Sequence, residues 1–125
     1  ERVDEILLAK RRLNERYRRH LEPLGLRFQE VPSDCVSSCW LNVVQFPSQS
    51  YLNSAKYQLT QAGIEVRPAF PLVSEMPPYK NIKSKKLPHA KNISRTAICL
   101  PSYPDLLDED VDYICRSISN GVNSE

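Results

Sequence analysis

The chain is poor in glycine. Three occur among 125 residues, Gly25, Gly63 and Gly121, and no two stand close together. Dinucleotide-binding fingerprints and phosphate-cradling loops need clustered glycines, so both are excluded. No apolar run approaches the roughly 18 residues that span a bilayer, and no charged segment followed by an apolar stretch opens the chain. The sequence therefore reads as cytoplasmic and without a membrane partner. Neither sign of charge dominates: 17 basic side chains face 15 acidic ones, for a net +2. Such a balance does not call for a nucleic-acid partner. The two histidines, His20 and His89, lie far apart and outline no catalytic triad.

Four cysteines are present. Cys35-x3-Cys39 is one close pair, and no second pair follows it. Structural zinc sites show two tight ligand pairs, so no metal site is expected. Cys99 and Cys115 fall in apolar patterns and are expected to be buried free thiols.

What is there fits one globular domain, with 41% hydrophobic and 26% charged residues. Residues 1–22 read as a long amphipathic helix. Ile6, Leu13, Tyr17, Leu21 and Leu24 share one face, and acids crowd the start while bases crowd the end. Glu15 and Arg19 stand at ion-pair spacing, so the basic face is read as solvated or as an interface. Pro23 and Gly25 stop the helix. A short strand is expected within Leu24–Val31, and a second over Cys39–Phe46, which carries the lone Trp40. Trp40 and Tyr51 are expected to be core or interface aromatics. Ser50 is placed as the cap of a second helix running to Ala62, with Gly63 closing it. Ile64–Val66 is the next strand. Residues 80–90 read as a basic loop, and Ile93–Leu100 contains a further strand closed by Pro101. Asp108, Glu109 and Asp110 begin a last helix, as helix-start charge rather than a catalytic pair. Its buried face is Leu107, Val111, Ile114 and Ile118, and Gly121 ends it.

That order predicts an α+β fold: a small, mostly antiparallel sheet of three to four strands with helices packed on one face, preceded by the long N-terminal helix. One stretch does not fit regular structure. After Val66 come Arg67 and four prolines within residues 67–78, Pro68, Pro71, Pro77 and Pro78. A proline-studded segment is stiff, so it loses little freedom on binding. It is the candidate functional loop.

"GIEVRPAFPLVSEMPPY" (63–79), followed by "AKNISRTAICLPSYPDLLDEDVDYICRSI" (90–118), resembles the C-terminal part of the DegT/DnrJ/EryC1/StrS family. "ERVDEILLAKRRLNERYRRHL" resembles the helix that follows that family's large domain, and "SSCWLNVV" its tryptophan-bearing strand. Arg67-Pro68 and "SEMPPY" are most similar to the perosamine-synthase-like branch. The family consists of pyridoxal-phosphate-dependent aminotransferases acting on nucleotide-linked keto-sugars. The resemblance implies a single C-terminal small domain, with residues 1–24 as an inter-domain helix and 25–125 as the sandwich. The cofactor, its Schiff-base lysine and the acidic partner of its pyridine nitrogen would lie in a large domain preceding Glu1. None of the seven lysines here matches that lysine's context. The implied partners are that large domain, a second subunit and a nucleotide-sugar. The implied substrate-binding residues are Arg67, Phe70, Ser74, Met76 and Tyr79, with no catalytic, cofactor or metal residue in this chain. An ion pair to the large domain is the other role open to Arg67. Ala69 and Ser74 depart from the pattern, since many relatives carry an aromatic or histidine at the first position and a histidine at the second. The reading from a different class is a stand-alone α+β module that uses residues 67–79 for a ligand or partner.

Overall fold

The computed structural model describes residues 2–79, 81–82 and 85–123. Part of the predicted basic loop, Lys80, Lys83 and Ser84, lies outside the described residues.

Helix α1 spans Val3–Leu21. Leu13, Tyr17 and Leu21, four residues apart, are fully buried, whereas Ile6 at the start of the same stripe is 40% exposed. The stripe is thus covered over its second half. A 3₁₀ turn, Glu22–Leu24, follows. Strand β1 is Arg27–Phe28 and β2 is Asn42–Gln45. The second strand is shorter than the sequence suggested because Cys39 adopts φ +49. That left-handed backbone is strained for a residue other than glycine, and it interrupts an extended run.

Helix α2 spans Gln49–Gln61, and its cap is Ser48 rather than Ser50. Ser48 Oγ accepts from the Tyr51 N–H at 3.5 Å, and Ser50 Oγ lies 3.0 Å from it inside the first turn. Gly63 ends the helix region at φ +71, with Ile64 N–H bonded back to the Leu59 carbonyl at 2.9 Å. A side chain there would be strained, which is why glycine stands at the exit.

The third strand is displaced from its expected place. β3 is Arg67–Pro68, not Ile64–Val66. The register explains it. β3 pairs antiparallel with β4, Ala97–Leu100, through Arg67↔Cys99 and Pro68↔Ile98. Two residues further back, Glu65 would stand opposite Pro101. Proline has no N–H to donate at that rung, and its carbonyl is already taken by the Tyr17 hydroxyl at 3.0 Å. The ladder stops and the strands part.

Residues 88–96 are also corrected. Helix α3, Pro88–Thr96, occupies the end of the expected basic loop and the start of the expected strand. Pro88 sits in its first turn, where a missing N–H costs nothing. Helix α4 is Asp108–Val122. Val111, Ile114 and Ile118 are buried as expected, but Leu107 is 57% exposed. Gly121 lies inside the helix rather than ending it.

The sheet order is β1-β2-β4-β3, all antiparallel. Phe28, Val44, Ile98 and Leu100 point into one core with Leu13, Tyr17, Leu21, Leu52, Leu59, Val111 and Ile118. Their neighbours Val43, Gln45 and Cys99 alternate to the other face and are only half-buried. One covered face and one open face make a two-layer α+β sandwich.

Polar groups lock α1 to this frame. Arg16 grips Asp112 through two bonds, Nε–Oδ1 at 2.7 Å and Nη2–Oδ2 at 2.6 Å, and reaches Asp108 Oδ2 at 2.9 Å. His20 Nε2 meets Asp112 Oδ1 at 3.0 Å. The Arg16 hydrogen bonds hold the Asp112 carboxyl below its ordinary range and raise the guanidinium. The basic face is therefore spent largely on α4 and on the adjoining turn, where Arg18 pairs with Glu22 at 2.6 Å. The predicted Glu15–Arg19 pair is not among the ion pairs of the described residues.

Candidate substrate cleft

Where β3 and β4 separate, a cleft of about 810 Å³ opens. Arg67 and Glu65 line one side, Pro101, Ser102 and Tyr103 the other, and Asp110, Tyr113 and Ile114 of α4 its base. Trp40 and Lys10 are also among its lining residues. The two prolines thus act together. Pro101 ends the ladder, and Pro68 starts the stiff loop that carries the chain away.

The loop is ordered by local turns rather than by sheet pairing. The Ala69 N–H bonds the Ala97 carbonyl at 3.1 Å and buries Ala69. Two 3₁₀ turns follow, Val73–Glu75 and Pro77–Tyr79. Glu75 pairs with Lys91 of α3 at 3.1 Å, which tethers the loop from outside. These contacts answer what holds so irregular a segment in place: prolines fix φ, and each turn satisfies its own carbonyls.

The structure divides the expected binding residues. Arg67 lines the large cleft. Ser74 and Tyr79 line a second, apolar hollow of about 470 Å³ with Pro71, Leu72, Val73, Ile82 and Leu87. Phe70 is 67% exposed and stacks on Trp40, ring centroids 6.4 Å apart at 28°. Met76 is half-buried and lines neither cavity. Arg67 itself pairs with Glu65 at 3.2 Å, and both side chains are about four-fifths exposed (80% and 79%). A pair so exposed holds little energy and is easily exchanged for a better anion.

Trp40 is 67% exposed and belongs to neither core nor sheet. Its place is set from behind. The Lys10 ammonium donates to the Trp40 carbonyl at 2.9 Å and to the Ser102 carbonyl. Burial moves the Lys10 amine below its ordinary range. Ser102 Oγ accepts from the Asn42 backbone N–H at 2.9 Å and from Asn42 Nδ2 at 3.0 Å, and donates to the Leu100 carbonyl at 2.8 Å. Asn14 Nδ2 in turn donates to Asn42 Oδ1 at 2.9 Å. Residues of α1 therefore hold Trp40 and Ser102 in place, directly through Lys10 and by way of Asn42 through Asn14. Lys10 gave no sequence signal beyond helical spacing. Trp40 was visible as a residue, but its partner Phe70 is not adjacent in sequence.

The described residues do not fit pyridoxal phosphate. A Schiff base needs a lysine amine directed into a pocket. Lys10, the cleft lysine, has its amine engaged by two carbonyls. Lys91 pairs with Glu75, and Lys56, Lys85 and Lys86 are exposed. No group of three histidine, cysteine or acidic residues comes together to hold a metal among the described residues. Cys115 is buried, and its thiol is pushed up to about 12 by burial. Burial also raises the half-buried Cys99. Neither is a poised nucleophile. No described helix is long and apolar enough to cross a membrane.

The long first helix, four-stranded antiparallel sheet and ordered loop make an α+β fold that solved aminotransferases share. The profile of the DegT/DnrJ/EryC1/StrS aminotransferase family matches residues 1–119, and the chain belongs to that family. GDP-perosamine synthases of Vibrio cholerae and Escherichia coli O157:H7 are 32% identical over 126 residues and 29% over 119, covering 98% and 95% of this chain. The chain spans about a third of those relatives, 34% and 32% of their length. The aminotransferase TlmJ of Streptoalloteichus hindustanus shares the fold at TM-score 0.86 and 23% identity, over 98% of this chain and 33% of its own.

Proposed function

We propose that this chain is the C-terminal small domain of a pyridoxal-phosphate-dependent aminotransferase that transfers an amino group to a nucleotide-linked keto-sugar. The observation that carries the reading is the match to two GDP-perosamine synthases over nearly the whole chain but only about a third of theirs. On this reading residues 1–24 form the inter-domain helix and 25–125 the sandwich. A large domain of the same protein holds the cofactor, which serves as the carrier of the amino group, and a cytoplasmic homodimer is the working form.

The chain's own part is binding. Arg67 offers two parallel N–H groups to a phosphate of the nucleotide-sugar, a match of fork to fork. Ser74 and Tyr79 offer the apolar hollow beside the cleft as a further contact surface, while Phe70 and Met76 support the proline-braced loop without lining either cavity. Because the turns are already made, little ordering accompanies substrate arrival. On this reading the described residues bind and orient the substrate, and the proton transfers and covalent steps belong to the large domain.

The test uses the full-length protein, incubated with an amino donor and a panel of nucleotide-linked keto-sugars. Formation of an amino-sugar nucleotide is the expected result, with none from the purified 125-residue chain. Turnover by the 125-residue chain alone overturns the reading.

A further inference from the structure

We propose that the free face of Trp40 is the platform on which the aromatic base of a nucleotide stacks while Arg67 holds its phosphate. This inference rests on the substrate class proposed above and assigns it a subsite outside the loop.

Two observations meet here. The first is a large ring left in solvent yet fixed. Trp40 is 67% exposed, but its carbonyl is bound by Lys10 at 2.9 Å. The left-handed turn at Cys39 sets its approach, and Asn42, two residues on, is fully buried. Phe70 backs the indole in an offset stack at 6.4 Å. A core residue would be covered, and a casual surface ring would not be held from three directions. An aromatic face ordered in advance is what a planar heterocycle needs, because stacking then costs no further ordering.

The second is charge at the right place. Trp40 and Arg67 line the same cleft, which at about 810 Å³ is within the range of small-molecule sites. Phe70 does not line it. Phe70 is thus the brace of the platform, a positioning residue rather than a contact. Glu65 is the present partner of Arg67, in an exposed pair that a phosphate can displace. A base-free phosphate gains only the arginine, whereas a nucleotide gains both contacts.

Trp40 is the single tryptophan of the chain, so its emission reports its own ring. The folded 125-residue chain is titrated with GDP, with guanosine, and with ribose 5-phosphate as the base-free control, each corrected for absorbance. Saturable quenching by GDP and guanosine, and little by ribose 5-phosphate, is expected. Phe70→Ala weakens both base ligands at least about fivefold. Arg67→Gln weakens GDP about tenfold and leaves guanosine unchanged. Equal quenching by ribose 5-phosphate, indifference to both substitutions, or no quenching at about 10 mM GDP overturns the platform. In the full-length protein, Trp40→Leu raises KM for the nucleotide-sugar with kcat kept, and Trp40→Phe restores it. Amination with an unchanged KM in Trp40→Leu sinks the platform and leaves the proposed function standing. Base-dependent quenching without amination of any nucleotide keto-sugar does the reverse.

Discussion

Gly121 of α4 rests against the backbone of Ala55 in α2. A methyl group placed on Gly121 would sit 2.7 Å from Ala55 Cα and 2.8 Å from its nitrogen. No side chain can rotate away to make room, because the obstacle is main chain. Gly121→Ala is therefore expected to push the helices apart and destabilise the domain by about 1–3 kcal/mol. The loss should appear as a lower midpoint in thermal unfolding, even though alanine is the better helix former.

Acid should loosen the α1–α4 contact. Asp112 has its carboxyl depressed by the Arg16 hydrogen bonds. The unfolded carboxyl titrates near the ordinary value of about 3.9. The stabilisation is fully present above that value and is lost as pH falls toward the folded one. Asp112→Asn should give a flatter stability profile below about pH 4 than the parent. Denaturant midpoints measured across that range decide it, and identical slopes would refute the assignment.

Ser102 carries more than its size suggests. Its hydroxyl is the acceptor for two Asn42 donors inside the core. Ser102→Ala strands both, at a cost of about 1–3 kcal/mol. The urea midpoint should fall with the slope unchanged, which marks lost stability rather than altered compactness.

Apolar surface remains on the first turns of α1, where Val3, Ile6 and Leu8 are 62%, 40% and 66% exposed. The 125-residue chain is expected to self-associate at high concentration. Leu8→Glu should shift it toward monomer in sedimentation experiments without lowering its melting temperature. A parent chain that stays monomeric throughout removes this prediction.

The parts legible in the sequence were those governed by near neighbours. Leu13, Tyr17 and Leu21 announce α1 by spacing alone, and three consecutive acids announce α4. Contacts between distant residues were not legible. The position of β3 depends on Pro101 and on the Tyr17 hydroxyl, which lie far from it in sequence. The choice between Ser48 and Ser50 as cap is a choice between two good capping residues two positions apart, and the fold settles it. The short α3 lacked an apolar stripe to advertise it, because its one buried residue is Thr96. At the cleft, Arg67 was readable through the family resemblance. The stack of Trp40 on Phe70 joins segments 30 residues apart, and only folding brings them together.

Pro68 has one more effect. In the β3–β4 register Ala69 faces β4 with its N–H, so the position of Pro68 turns outward. The exposed border of the sheet therefore lacks the donor that an incoming strand would require at that rung. Strand addition by a neighbour's backbone is disfavoured at this rung, which blunts the edge against fibre-like growth. A partner docking on this side meets fewer backbone donors, so more of its selectivity rests on side chains that substitution can change one at a time.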